Sequence, residues 1–155
     1  KTAELFAAAT KVGAILSEMK TKEKEALEFY GRNLGLTFQI ADDTLDYNSE
    51  LKLFGKKIGQ DFYEGKITLP IIILFQRGNT EQRVNMKKIF SKKSRDENDF
   101  IYTLSLIKQY EIIKECYQKA HHYINLASNS LSIFNNCKEK TILTNLTSFS
   151  LSRDF

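Results

Sequence analysis

The stretch "GRNLGLTFQIADDTLDY", residues 31–47, decides how this chain is read. Leu34, Phe38, Ala41 and Leu45 recur at steps of three or four, and Leu27 and Tyr30 extend the stripe backwards. That spacing is one buried face of an α-helix, predicted here over residues 22–48 with Thr21 as its cap. A second face lies beside it at Gly31, Gly35, Gln39, Asp42 and Asp46. A glycine inside a helix costs about 1 kcal/mol relative to alanine. Two of them on one face leave a smooth wall leading up to a glutamine and two carboxylates, the shape of a cleft lining.

Asp42 and Asp46 stand one turn apart, while Asp43 is rotated by about 100°. Like charges at this spacing cost a helix a few tenths of a kcal/mol, and acids near a helix C-terminus oppose its dipole. The cluster is therefore either a solvated acidic face or a holder of something positive. Mg²⁺ suits it, since that cation takes one or two carboxylates, keeps waters and completes its shell with phosphate oxygens. Alone the pattern is weak, because a DDxxD spacing arises by chance in about 3% of chains this long. Its company strengthens it: Gln39 one turn before, then Lys56, Lys57, Asp61 and Lys66 in the glycine-bearing segment just after.

Around this stretch the pattern is helical throughout, so the chain reads as all-α. A first helix over about 2–20 places Leu5, Ala8, Ala9, Val12 and Leu16 on one face. Residues 49–66, with Gly55, Gly59 and Gly65, break the periodicity and read as a long functional loop. Helices resume over about 67–77, with Pro70 at the start, 80–93, 97–108 behind Asp96 as cap, 110–128, and 138–151 with Ile142, Leu146 and Phe149 inward.

With 155 residues, 42% hydrophobic and 27% charged, the chain has the size and balance of one globular domain. The net charge of +4 gathers between Arg77 and Arg95, where seven cations meet one acid, Glu81. Only Phe90 interleaves with these cations. They read as the wet face of a helix with Val84, Ile89 and Phe90 inward, not as a nucleic-acid surface. Cys116 and Cys137 lack metal-ligand spacing and read as reduced thiols, which implies a cytoplasmic protein. His121 and His122, being adjacent, point to different faces and read as surface or packing residues. No apolar run approaches the roughly 18 residues of a membrane span, and no signal peptide is evident. The chain begins at Lys1, already inside an amphipathic pattern, and reads as a piece of something longer.

"GRNLGLTFQIADDTLDY" together with "GKKIGQDFYEGKITLPIII", residues 55–73, resembles the second aspartate-rich region of trans-polyprenyl diphosphate synthases. "KTAELFAAA", residues 1–9, resembles the Lys-Thr segment that precedes it, and "FSLSRDF", residues 149–155, is similar to the family's closing stretch. The resemblance implies the helical-bundle fold of the type I isoprenoid synthases, with 1–155 as the C-terminal part of the domain. It implies a Mg²⁺-dependent, head-to-tail condensation of isopentenyl diphosphate with an allylic diphosphate. In the family, two aspartate-rich motifs on opposing helices hold Mg²⁺ around the allylic diphosphate, whose departure leaves a carbocation for the second substrate to attack. Asp42 and Asp46 match metal ligands, Asp43 a ligand or its support, and Asp61 a carboxylate that orients metal-bound water. Lys1, with Thr2 beside it, and Gln39 match groups that grip diphosphate oxygens, and Lys56 matches the loop lysine on the allylic diphosphate. Phe38 matches a motif aromatic, though a place in the core stripe explains it equally. The family's first aspartate-rich motif belongs upstream of Lys1, so product length is unreadable here. The resemblance further implies homo-oligomers or pairing with the other half, and at most peripheral contact with a membrane. The rival reading is a non-catalytic remnant or regulatory subunit that pairs with a complete synthase.

Overall fold

The structure, a computed structural model, describes residues 1–48 and 58–150. Among the described residues it contains α-helices and one short 3₁₀ turn, with no strand. The helices are α1 (Thr2–Leu16), α2 (Thr21–Leu45), α3 (Gln60–Glu64), α4 (Leu69–Arg77), α5 (Thr80–Ser91), α6 (Glu97–Gln109), α7 (Ile112–Ser130) and α8 (Lys138–Phe149). They form two compact units, one of Lys1–Ala41 with Gln118–Phe155 and the other of Asp42–Tyr117.

In the first unit, α1 lies against the glycine face of α2. A Cβ built on Gly31 would come within 2.3 Å of the Thr10 hydroxyl and 2.5 Å of the Phe6 carbonyl oxygen. One on Gly35 would sit 2.7 Å from the Ala3 Cα. Backbone meets backbone here, so only glycine fits, and the face at Gly31 and Gly35 read as a cleft wall is instead covered by α1. The Thr10 hydroxyl stitches the pair by donating to the Leu27 carbonyl at 2.6 Å, and the Phe6 and Phe38 rings pack 5.6 Å apart. Phe38 is half-buried in this contact. On its other side α2 presents Tyr30 and Leu34 to Ala127 and Leu131, with Leu27, Phe134 and Leu143 around them. The buried Tyr30 phenol, pushed up to about 12 by burial, donates to the Leu143 carbonyl at 2.8 Å.

This contact leaves the apolar face read for α1 on the outside. Leu5, Val12 and Leu16 are 72%, 51% and 79% exposed, Ala8 and Ala9 are exposed too, and the buried positions are Ala7 and Ala14. The helix is apolar nearly all round, so periodicity could not single out a face; the close approach to glycines selects the small one. On α8, likewise, Ile142, Leu146 and Phe149 are exposed while Thr147 is buried and bonds with Ser128. His121 and His122 are both exposed, as read from the sequence.

The second unit is organised around aromatics. Phe62 on α3 has the rings of Phe100, Tyr63 and Phe90 at 5.2, 5.5 and 5.6 Å, and Tyr47 adjoins Phe100 at 6.4 Å. Segment 58–66 is therefore partly helical rather than loop throughout, because Phe62 anchors it. Pro70 sits in the first turn of α4, where its missing N–H costs nothing. Asn79 with Gln82 and Asp96 with Asp99 form reciprocal capping boxes at the starts of α5 and α6. Val84, predicted inward, is 46% exposed, while Ile89 is buried. The basic segment also finds distant acids: Arg77 bonds to Glu115 at 3.0 and 3.1 Å, and the Lys92 ammonium meets both Asp99 oxygens at 2.7 Å. Cys116 is buried and Cys137 exposed, both as free thiols.

Three substitutions test this packing by urea unfolding. Gly31→Ala should lower the free energy of urea unfolding by about 1–3 kcal/mol through overpacking. Gly13→Ala, where an added Cβ meets nothing within 4 Å, should raise it by up to about 1 kcal/mol. Tyr47 is 2% exposed and its hydroxyl has no hydrogen-bond partner of good geometry. Tyr47→Phe should accordingly leave the urea midpoint unchanged or raise it, since it removes a stranded polar group worth about 1–3 kcal/mol.

Candidate functional site

The aspartates sit where α2 ends. The helix stops at Leu45, so Asp42 and Asp43 are helical while Asp46 lies just beyond. This corrects the predicted end at residue 48: the chain turns away at Asp46 and Tyr47, and the Asp46 carbonyl oxygen accepts the Gly59 N–H at 2.9 Å instead of continuing the helix. Asp42 is exposed, and Asp43 and Asp46 are partly buried.

Asp46 is the most engaged of the three. One carboxylate oxygen accepts the Gln60 N–H and the other the Asp61 N–H, each at 2.9 Å. Three consecutive amides, those of Gly59, Gln60 and Asp61, thus end on one residue. Burial raises the pKa of the Asp46 carboxyl, and the charge of Asp61 adds to the rise while the amides of Asp61 and Gln60 oppose it. Gly59, with φ of 84°, supplies the left-handed turn into α3, and a Cβ there would lie 2.7 Å from the Phe100 ring.

Asp61 accepts a hydrogen bond from the Lys66 ammonium at 2.8 Å, and Glu64 pairs with the same ammonium at 2.8 Å. The two acids raise the Lys66 pKa well above the ordinary lysine range. In the other unit, the Thr2 hydroxyl donates to Gln39 Oε1 at 2.8 Å, which turns the Gln39 carbonyl towards Thr2. Lys1 is the exposed residue that precedes α1. Lys56 lies outside the described residues.

The structure therefore joins Thr2 to Gln39, and Asp46 to Asp61 and Lys66. Among the described residues no three His, Cys, Asp or Glu side chains converge as a ready cage. The donor set still fits Mg²⁺, which needs only one or two carboxylates and takes its other ligands from water and phosphate; exposed Asp42 can offer such a carboxylate. Sequence reasoning missed two things: the hold of Asp46 on α3 and the Lys66–Glu64 pair. The second had a signal, since residues 64 and 66 flank the Gly65 turn. The first had none, because 14 residues separate Asp46 from Gln60.

Comparison with known proteins identifies the family. The family model described as Polyprenyl synthetase matches residues 1–107. The short chain isoprenyl diphosphate synthase of Methanothermobacter thermautotrophicus is 34% identical over 154 residues, 99% of this chain and 47% of that protein. The octaprenyl diphosphate synthase of Haemophilus influenzae is 29% identical over 155 residues, 47% of its length. Among solved structures, a polyprenyl synthase from Roseobacter denitrificans superposes with a TM-score of 0.90 at 31% identity, over 99% of this chain and 50% of that one. A polyprenyl synthase from Caulobacter crescentus, complexed with calcium and isoprenyl diphosphate, gives 0.89 at 35% identity over 100% of this chain and 47% of that one. The chain spans about half the length of the relatives it matches, their C-terminal half. With helices alone among the described residues, and the all-helical isoprenoid synthase fold in its structural neighbours, this chain belongs to the polyprenyl synthetase family.

Proposed function

We propose that the chain acts as the C-terminal half of a prenyltransferase of isoprenoid biosynthesis, supplying the second metal and diphosphate wall for condensation of isopentenyl diphosphate with an allylic diphosphate. The observation that carries this reading is the match along the whole chain to the Caulobacter structure, which holds calcium and isoprenyl diphosphate. Here Mg²⁺ takes the cation's place, held foremost by the exposed Asp42 carboxylate, with Asp43, Asp46 and Asp61 grouped around it. When bound, the cation supplies positive charge against the departing diphosphate.

The chain's other groups bind and orient. Lys1 and Lys56 offer ammonium donors to diphosphate oxygens, which are strong, charge-assisted contacts. Thr2 fixes the rotamer of Gln39, so that its amide is set in place before substrate arrives, which is the preorganisation that makes such donors effective. Asp61 holds the Lys66 ammonium. Among the described residues no helix is long and apolar enough to cross a membrane. We assign the work to the cytoplasm, with the complementary half or a second copy of the chain as partner.

Calorimetry with inorganic pyrophosphate tests the binding half of this reading. Binding should require Mg²⁺, and Asp42→Ala should weaken it by at least about tenfold. Lys56→Ala should weaken it while changing stability by less than about 0.5 kcal/mol, as expected of a lysine that contributes little packing. Equal affinity with and without Mg²⁺ would sink the assignment. Turnover is the second test. With an allylic diphosphate, labelled isopentenyl diphosphate and Mg²⁺, the chain alone should give negligible elongated product, because charge stabilisation from one side only leaves the barrier high. Coexpression with the N-terminal half of a relative should restore it; binding without any restored turnover would mark a non-catalytic subunit instead.

A further inference from the structure

Asp46 is the third aspartate of the motif, yet its carboxylate is turned to the backbone of α3. Each oxygen accepts one N–H, from Gln60 and from Asp61, at 2.9 Å, and its own carbonyl takes the N–H of Gly59. The N-cap position of α3 is Gly59, which has no side chain to satisfy the orphan amides of the first turn. Asp46 does so from 14 residues away. The helix so capped carries Asp61, which in turn holds Lys66.

We propose that Asp46 is a positioning residue: it caps α3 from a distance and acts on the diphosphate site through Asp61 and Lys66, not by holding the cation itself. The consequence for the site rests on the function proposed above; the capping itself does not. A five-residue helix is far below the length that is stable alone. Its place depends on Phe62 in the aromatic cluster and on this carboxylate. Asp42, exposed and one turn earlier, carries the charge that a cation needs.

The two roles respond differently to asparagine. As a cap, asparagine keeps one accepting oxygen and can hold one of the two amides, whereas alanine holds neither. As a ligand, asparagine has lost the charge that binds a hard cation. The first experiment is amide hydrogen exchange on the chain without metal or diphosphate. Asp46→Ala should cost both the Gln60 and Asp61 amides about fivefold in protection, Asp46→Asn should cost only one of the two, and Asp42→Ala neither. Unchanged protection in Asp46→Ala overturns the capping.

The second is calorimetry with Mg²⁺ and inorganic pyrophosphate. Asp46→Asn should bind within about threefold of the unaltered chain, whereas Asp42→Asn should be as weak as Asp42→Ala. Asp46→Asn binding no better than Asp46→Ala, with the amides still protected, would make Asp46 a ligand and overturn the proposal. Should the unaltered chain fail to bind Mg²⁺–pyrophosphate at all, the proposed function falls, and the exchange data still decide the capping.

Discussion

The approach of α1 to α2 at Gly31 and Gly35 is the constraint on which the first unit depends. With side chains absent from that face, the two backbones come close enough for the Thr10 hydroxyl to reach the Leu27 carbonyl across the gap. The same contact brings Thr2 to Gln39, near the start of α1 and late in α2. A glycine's cost in helix propensity, about 1 kcal/mol, is offset by packing no larger residue could make. The opposite face of α2 is then available to Tyr30 and Leu34, whose neighbours on α7 and α8 close the core.

The second unit solves a different problem. Its shortest helix, α3, must be held in place although five residues cannot sustain a helix alone. Phe62 does this from within, fully buried among Phe90, Phe100 and Tyr63. Arg95 supports the same cluster: its guanidinium lies 5.8 Å over the Phe90 ring and donates to the Tyr63 carbonyl at 3.2 Å. Asp99, 8% exposed, would have its pKa raised by burial, but the Lys92 ammonium and the Asp96 amide lower it on balance. What looked in sequence like a run of unopposed cations is in part a set of anchors.

Electrostatics and packing meet at the end of α2. Asp42 and Asp46 are spaced as equivalent positions one turn apart, yet the helix ends between them at Leu45. The Asp42 carboxylate is exposed, and the partly buried Asp46 carboxylate turns to protein amides. A shared motif thus divides into chemically unlike members because of where one helix stops.

Much was legible in the sequence. The all-α class, the α2 stripe and the Asp96 cap follow from local physics: a 3.6-residue period and a capping side chain. These properties are carried by residues within a few positions of one another. The buried faces of α1 and α8, the helical turn at Phe62 and the engagement of Asp46 were not legible. Each is decided by a partner distant along the chain, and an apolar stripe does not say which neighbour will cover it. The sequence by itself determined which residues could hold a cation and diphosphate oxygens. Only the tertiary structure decided which of those carboxylates is exposed and which is held by the backbone, because a hydrogen bond spanning 14 residues depends on where the chain returns.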